Sequence, residues 1–202
     1  MDLYIRPLSV NDLDRCVAVE AAAFPPAEAA TREKARLFVR KGKNSPESVI
    51  RQGITPVYSP SETSSRDELI AHTISTKSTS SVVTDEDMAV PSAWKIDPTA
   101  TYDVGHRPEG RTITLHSLAV APHFQKSGYG KTLMAYYIEH MMQTAQAERI
   151  SILTYDRLVS YYEKLGFTHY GKSQSEYAGV AWHDLVWSLE GNHTSFLLTF
   201  SM

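Results

Sequence analysis

The segment from Ile113 to His140 constrains the fold of this chain more than any other part of the sequence. It begins with the run ITLHSLAV, in which β-branched and other apolar residues predict a buried strand. A polar turn with two glycines follows, APHFQKSGYG, and then KTLMAYYIEH, whose apolar residues recur at helical spacing. The segment therefore predicts a strand, a glycine turn and a helix in succession.

A turn of this kind can bind an anion through the backbone. The first amides of a helix have no partner within the helix, and the helix dipole adds partial positive charge there. Gly128 and Gly130 lack a Cβ, so a phosphate can approach the backbone closely. The spacing from Gln125 is Q-x-x-G-x-G, which differs from the P-loop and from the full G-x-G-x-x-G. Taken alone, such a turn more often simply connects a strand to a helix than forms a binding site.

A second motif, LVSYYEKLGF from Leu158 to Phe167, strengthens the functional interpretation. Together the two motifs resemble the GCN5-related N-acetyltransferases, whose pyrophosphate loop reads Q/R-x-x-G-x-G/A and whose last helix commonly ends in Y-E-K-x-G-F. Within that superfamily the chain is most similar to serotonin-type arylalkylamine N-acetyltransferases and their fungal polyamine-acetylating relatives. Three further stretches carry that similarity: EAAAFPPAE at 20–28, HRPEG at 106–110 and LHSLAV at 115–120. The resemblance covers most of residues 3–189, with gaps in two loops.

The resemblance implies an α/β (α+β) fold. We expect a central mixed, mostly antiparallel twisted sheet of about seven strands, with helices on both faces and one parallel pair that splays apart. The residue pattern predicts strands near 2–6, 53–58, 68–75, 113–120, 149–154, 167–171 and 180–189, and helices near 9–23, 32–41, 131–142 and 157–165. Ser9 is predicted to cap the first helix, with Asp12 in the capping-box position, and Gly166 to end the last one.

The chain length predicts one domain, residues 1–190. Inside it, residues 76–110 read as a long irregular loop, with partial order and a helical turn near Asp85–Met88. Residues 191–202 form an apolar C-terminal extension, which we expect to pack as an extra segment rather than leave an exposed edge.

Composition limits the partners. A net charge of −3 and a pI of about 6.2 argue against nucleic acid. The single cysteine, Cys16, cannot form an internal disulfide and fits a reducing compartment. No apolar run approaches the roughly 20 residues of a membrane helix, and the N-terminus lacks signal-peptide character. We therefore predict a cytoplasmic protein that is a monomer or weak dimer, with no metal and no membrane partner.

Acetyl transfer from a thioester to an amine requires that the acyl donor be held, that the amine lose a proton and that the thiolate be stabilised. The resemblance implies that coenzyme A, as acetyl-CoA, binds the glycine turn through its pyrophosphate and the preceding strand through its pantetheine amides. The predicted cofactor-binding residues are Leu118, Ala119, Val120, Gln125, Lys126, Ser127, Gly128, Tyr129, Gly130 and Lys131.

His116 is the candidate base, because a histidine with a pKa near neutral can relay a proton. Without the resemblance, a histidine in such a strand is more often a buried, hydrogen-bonded core residue than a base. The serotonin-type enzymes carry a second histidine two residues earlier, where this chain has Thr114. A threonine can order a water but cannot act as a base, so His116 acts alone or with His72 or His183.

Tyr162 is the candidate acid that protonates the thiolate, because the resemblance places this tyrosine at the sulfur. Its neighbour Tyr161 is the alternative; the two side chains face about 100° apart on a helix, so only one reaches the sulfur. No cysteine lies in the motif region, which favours direct attack by the amine over a covalent intermediate.

The predicted substrate-binding residues are Phe24, Thr76, Thr114 and Trp182. Phe24 and Trp182 match aromatic walls of the arylalkylamine enzymes, although both could be ordinary core aromatics. Four acids fall in the same region and could attract a polyamine or simply be solvated: Glu20, Glu28, Glu33 and Asp184. The sequence leaves the acceptor open between an arylalkylamine and a polyamine. Two other functions also remain open: acetylation of a protein N-terminus or lysine, and non-catalytic acyl-CoA binding.

Overall fold

The structure is a computed structural model, which describes residues 4–8, 10–35, 56–59, 68–97, 100, 102–144 and 147–189. Its strands are β1 (Tyr4–Ile5), β2 (Pro56–Ser59), β3 (Glu68–Ser78), β4 (Thr112–Val120), β5 (Arg149–Thr154), β6 (Thr168–Lys172) and β7 (His183–Ser188). Its named α-helices are α1 (Leu13–Ala23), α2 (Asp85–Met88), α3 (Tyr129–Thr144) and α4 (Val159–Glu163). Within these ranges, no helix is both long enough and apolar enough to cross a membrane.

The strands form one seven-stranded sheet in the order β1-β2-β3-β4-β5-β7-β6. β4 and β5 run parallel, and every other neighbouring pair in that order is antiparallel. The predicted mixed, mostly antiparallel sheet with one parallel pair is therefore confirmed.

Helices cover both faces of the sheet, and β4 shows why. Successive strand residues point to opposite faces. Ala119 packs with Cys16 and Val19 of α1, whereas Val120 packs in the cluster around Leu133 of α3. The largest apolar cluster lies on the α3 face, where residues of β4, β5 and β7 meet α3 and α4: Ile113, Leu115, Ile150, Ile152, Leu185, Trp187, Met134, Tyr137, Ile138 and Tyr162.

The start of α1 differs from the prediction. Asp12 occupies the N-cap position, but its side chain makes no capping hydrogen bond. Both carboxylate oxygens instead accept hydrogen bonds of 2.9 Å from the guanidinium of Arg6. A bidentate, charge-assisted pair is stronger than a single bond to a backbone amide, so Arg6 takes the carboxylate. Ser9, the predicted cap, lies outside the described residues.

The helix predicted at 32–41 is present over its described part, residues 32–35. Thr31 caps its start, since the Thr31 hydroxyl accepts a hydrogen bond from the Lys34 amide at 3.2 Å. The remainder of that helix, most of residues 42–67 and the C-terminal extension lie outside the described residues. The last strand begins at His183 rather than Val180, because residues 177–179 form a 3-10 turn in which Ala178 has a φ of 56°.

The long segment after β3 carries more structure than an irregular loop. The predicted helical turn is confirmed as α2, capped by a reciprocal pair of hydrogen bonds between Thr84 and Asp87. Trp94 is buried in a cluster with Ile74 of β3 and with Ala30. The segment therefore packs on the α1 face of the sheet, above the place where β4 and β5 begin to diverge.

Candidate active site

β4 and β5 separate partway along their length. Their parallel pairs run from Thr112 with Arg149 to Leu115 with Ile152. β4 continues to Val120 and β5 to Thr154 with no further recorded pair among the described residues. The splay leaves one backbone edge of β4 facing a gap, as the resemblance required for a bound pantetheine chain.

His116 is an extra residue at the point of divergence. Across β3, Ile74 pairs with Ser117 and Ser75 pairs with Leu115, so His116 forms a β-bulge. A bulge bends the strand locally and re-aims the side chain that it carries. The bulge therefore turns the His116 ring toward the α1 face and the segment that holds α2.

One groove lies on the glycine-turn side of the splay. It encloses about 410 Å³, and its walls are Ala23, Phe24, Leu118, Val120, Phe124, Gln125, Lys126, Gly128, Gly130, Lys131, Leu158, Tyr161 and Tyr162. Gly128 has a φ of 87°, a left-handed value that L side chains rarely adopt, and open space beyond its Cα. A Cβ on Gly130 would lie 3.5 Å from the Tyr161 hydroxyl. A side chain at Gly128 would therefore strain the backbone, and one at Gly130 would narrow the groove.

A second cavity lies on the other side of the splay. It encloses about 110 Å³ and is lined by Phe24, Glu28, Val83, Met88, Leu115, His116, Ser117, Leu118, Ile152, Leu153, Thr154, Tyr155, Leu158, Tyr162, Tyr177 and Trp182. Four residues line both spaces: Phe24, Leu118, Leu158 and Tyr162. The groove and the cavity therefore share a wall and lie next to each other.

Tyr162 stands in this shared wall. Its ring packs edge-on against Phe167, with centroids 5.6 Å apart, and against Tyr161, with centroids 5.0 Å apart. Burial first, and the neighbouring Tyr161 second, raise the pKa of the Tyr162 phenol. The phenol therefore keeps its proton at neutral pH and can donate it. Tyr161 lines the groove but not the cavity.

His116 lies on the cavity wall with both ring nitrogens engaged. Its Nε2 is 2.7 Å from the Thr76 hydroxyl oxygen, and its Nδ1 contacts the Met88 sulfur. A thioether is only an acceptor, so the arrangement fits a proton on Nδ1 and a Thr76 hydroxyl that donates to Nε2. The pKa of His116 lies well below 6.5 because of burial, the charge of Lys34 and, less strongly, His106. The ring is therefore neutral at physiological pH.

The two predicted threonines do not reach the cavity wall. Thr76 is buried and touches the site only through His116. Thr114 is fully buried between Thr76 and Ser151, its neighbours on β3 and β5, and its hydroxyl has no hydrogen-bond partner among the residues that the structure describes. Its pair with Ser151 comes one residue before Leu115 with Ile152, the last pair of β4 with β5, so Thr114 lies where the two strands are still hydrogen-bonded. A direct contact between Thr114 and a substrate is therefore not supported.

Three predicted cofactor residues also stand behind the groove surface. Ala119 is buried against α1. Tyr129 packs against Phe124, with ring centroids 6.1 Å apart. Ser127 lies in the turn, where its hydroxyl bonds the Gln125 carbonyl at 3.4 Å. These residues can contribute backbone groups to the groove, whereas the other seven predicted residues line it directly.

The two auxiliary histidines are engaged elsewhere. His72 is fully buried, and its Nε2 lies 2.9 Å from the Glu20 carboxylate, which also accepts from Ser117 and from the Ala30 amide. His183 contacts His169, with ring nitrogens 2.8 Å apart. Neither histidine lines the cavity. The Glu20 bond to Ala30 fixes the end of the 24–30 bridge, which carries Phe24 and Glu28 over the site.

Several residues in and around the cavity carry no clear signal in the sequence. Tyr155, Tyr177 and Met88 line the cavity from three separate segments and were not among the predicted site residues. Lys34 was missed as well: it is 6% exposed, and its Nζ lies 4.8 Å from the centroid of the Tyr177 ring. Burial lowers the pKa of Lys34 to about 8. None of these residues stands in a motif, so only the fold reveals that they converge.

The sequence is similar to those of known proteins. The family model described as "Acetyltransferase (GNAT) family" matches residues 60–167, more than half of the 202-residue chain. The serotonin N-acetyltransferase of Mesocricetus auratus is 36% identical over 84 residues, which are 42% of this chain and 41% of that protein. The corresponding enzyme of Macaca mulatta is 32% identical over 87 residues, 43% of each chain. The chain thus matches less than half the length of these relatives.

A solved structure shows the same fold. The loading GNATL domain of CurA from Lyngbya majuscula superposes with a TM-score of 0.65 at 11% identity, over 95% of this chain and 100% of that one. An identity this low supports the fold alone.

Proposed function

The chain belongs to the acetyltransferase (GNAT) family, and on that premise we propose that it transfers an acetyl group from acetyl-CoA to the primary amine of a small molecule. The observation that carries the proposal is the shared wall at the splay. A thioester held in the groove would present its carbonyl to the cavity beside Tyr162, which lines both spaces. An amine in the cavity would approach that carbonyl from the opposite side.

The cofactor would bind mainly through backbone. The amides of the turn before and at the start of α3 would contact the pyrophosphate, with the helix dipole favouring its negative charge. Lys126 and Lys131, both on the groove wall, would add positive charge. The edge of β4 from Leu118 to Val120 would bond the pantetheine amides, as a neighbouring strand would, with the Val120 carbonyl released from the Gln125 side chain that donates to it at 3.0 Å.

Two side chains would manage the protons. His116 is neutral and lies on the cavity wall, so it would accept the proton of the amine, directly or through a water, as the Thr76 hydroxyl turns away from Nε2. Tyr162 would donate its proton to the departing thiolate of coenzyme A. The carbon–sulfur bond would break as the amide carbon–nitrogen bond forms, and the thiol would leave with the proton from Tyr162. His116 would then release the amine proton to solvent, and Tyr162 would be reprotonated from solvent.

A covalent intermediate on the enzyme finds no support in the described residues. Cys16 lies on the buried face of α1, and it lines neither the groove nor the cavity. Burial, with the nearby charges of Asp12 and Glu20, raises the pKa of its thiol to about 12. A thiol of this kind is a poor nucleophile, since the thiolate is the reactive form. Direct attack by the amine is therefore the proposed route.

The acceptor would be an arylalkylamine or a polyamine. Phe24 and Trp182 line the cavity, and the Trp182 ring lies 5.1 Å from that of Tyr155, which suits an apolar or aromatic acceptor body. The serotonin N-acetyltransferases to which the chain is similar point the same way. The cytoplasmic location stays a prediction.

The test is thiol release from acetyl-CoA with a panel of amines: tryptamine, phenethylamine, putrescine, spermidine, lysine and a histone-tail peptide. Turnover with a small amine at a rate well above the peptide would support the proposal. Turnover with the peptide alone would favour a protein acetyltransferase. Tight acetyl-CoA binding without any turnover would favour a binding module.

A further inference from the structure

We propose that Glu28 binds a second, non-reacting ammonium group of the acceptor, so that the preferred acceptors are diamines or polyamines. The inference rests on the proposed function, because it concerns the acceptor cavity of the same site. It distinguishes polyamines from arylalkylamines, which the aromatic walls of the cavity alone do not distinguish.

The structure separates Glu28 from the other acids of the region. Glu20 is buried and bonded to His72, Ser117 and Ala30. Glu33 pairs with Lys95 at 2.7 Å and accepts from the Trp94 indole at 3.2 Å, while Asp184 is buried in β7. Glu20, Glu33 and Asp184 do not line the cavity. Among the described residues, Glu28 is the carboxylate that does.

A hydrogen bond holds the Glu28 carboxylate in place. The Tyr155 hydroxyl donates to its Oε2, and the Arg157 guanidinium lies over the Tyr155 ring, 4.1 Å from the ring centroid. Its Oε1 accepts no hydrogen bond from the described part of the chain. One oxygen is thus fixed by the protein and the other is available to a ligand.

Aromatic rings complete the cation-binding character of this end of the cavity. Tyr155, Tyr177 and Trp182 all line it with Glu28. Aromatic faces attract ammonium groups, and a carboxylate among them adds a charge-assisted hydrogen bond. The combination is better suited to an alkylammonium than to the apolar ring of an arylalkylamine, which gains nothing from a partly buried carboxylate.

The reacting nitrogen needs the opposite environment. It must be neutral to attack the thioester, and a carboxylate beside it would favour the protonated form. The four residues shared by groove and cavity are Phe24, Leu118, Leu158 and Tyr162, none of which is charged at neutral pH. Glu28 lines the cavity but not the groove, so it faces the part of the acceptor that stays away from the sulfur.

The deciding experiment compares 1,4-diaminobutane with n-butylamine, which have the same carbon chain and differ by one ammonium group. Steady-state rates are measured for the wild type, for Glu28→Gln and for Glu33→Gln, a control that removes an acid outside the cavity. We expect the wild type to favour the diamine in kcat/KM by about tenfold or more. Glu28→Gln should raise the KM for the diamine by a similar factor, leave kcat nearly unchanged and leave butylamine unaffected.

Two results would overturn the inference. One is an equal loss of kcat for both amines in Glu28→Gln, which would indicate a proton-transfer or structural role. The other is a wild type with no preference for the diamine. Thermal unfolding of Glu28→Gln checks that the fold is intact, and Tyr155→Phe, which removes the hydroxyl that donates to Glu28, should give a smaller loss restricted to the diamine.

Calorimetry separates this inference from the proposed function. Diaminobutane is titrated into the protein loaded with coenzyme A, so that no turnover is needed. Binding that weakens about tenfold in Glu28→Gln but not in Glu33→Gln supports the subsite even if acetyl transfer fails. Acetyl transfer to monoamines without any measurable diamine binding would support the enzyme and overturn the subsite.

Discussion

The groove and the cavity that meet at Tyr162 are built in different ways. Most of the groove comes from one continuous stretch, the end of β4, the turn and the start of α3, with a few residues of α1 and α4. The cavity takes its walls from the 24–30 bridge, the α2 segment, β4, β5 and the loops before α4 and β7. A site for a common cofactor can be local and depend on backbone, whereas a site for a particular acceptor depends on side chains that only the tertiary fold brings together.

The largest expected effect lies where the two regions meet. Tyr162→Phe removes the proposed proton donor while it keeps the ring packing against Phe167. We expect kcat to fall by roughly 10²–10⁴-fold, the usual contribution of a general acid, in an assay of thiol release. Tyr161→Phe is the matched control and should stay within a few-fold of the wild type. Equal rates for the wild type and Tyr162→Phe would remove the acid assignment.

A substitution in the turn tests whether the groove depends on backbone. Gly128→Ala places a Cβ on a residue with a φ of 87°, where an L side chain is strained. A strain of about 1–2 kcal/mol should raise the KM for acetyl-CoA by about five- to thirtyfold with little change in the acceptor KM. Gly171→Ala, at a φ of 98° in β6 and away from both spaces, carries similar strain and should lower only the melting temperature. Equal acetyl-CoA KM values for the two variants would contradict a backbone-built site.

The pH dependence of kcat/KM tests the electrostatics of the cavity. Neutral His116 is the proposed base, so activity should fall as the pH drops through its pKa, which lies well below 6.5. Lys34→Met removes a positive charge that lowers this pKa, so the acid limb should move to higher pH while the rate at pH 8 changes little. The pKa of His116 in this variant should still lie below 6.5, because burial lowers that pKa more than the charge of Lys34 does.

Lys95→Met is the control for that experiment, since Lys95 is exposed and pairs with Glu33. Its profile should overlay that of the wild type. An acid limb that is the same in Lys34→Met and in the wild type would show that His116 does not control the limb.

The smallest expected effect concerns the contact between the α2 segment and the loop before β7, which both line the cavity. Asp85 of α2 accepts hydrogen bonds from the Ser175 hydroxyl at 2.5 Å and from the Glu176 amide at 3.2 Å, which join the α2 segment to the loop before β7. Asp85→Ala should raise the acceptor KM by about two- to fivefold, since exposed bonds of this kind contribute little each, and leave the acetyl-CoA KM unchanged. Glu86→Ala, its neighbour in α2, should change neither. A rise in the acetyl-CoA KM would show that the two regions are less separate than their construction indicates.

The same contrast explains how much could be predicted from the sequence. The turn at Gln125–Gly130 and the segment around Tyr162 are contiguous motifs, and the structure places both at the groove. The bulge at His116 could not be predicted, because register depends on the facing strand. Thr114 was assigned to the substrate by its position relative to His116, but the strand pairing buries it before the splay opens. Lys34 and Tyr155 belong to no motif, and their roles depend on neighbours far away in the sequence.

The splay of β4 from β5 has a consequence for handling the protein. The edge of β4 beyond Leu115 offers backbone groups that a strand of another molecule could pair with as readily as a cofactor. A cofactor that occupies this edge would act as a removable strand, and it would raise the melting temperature in proportion to the logarithm of its concentration. Purified without coenzyme A, the protein should therefore be more prone to aggregation and to protease cleavage, and storage with the cofactor should protect it.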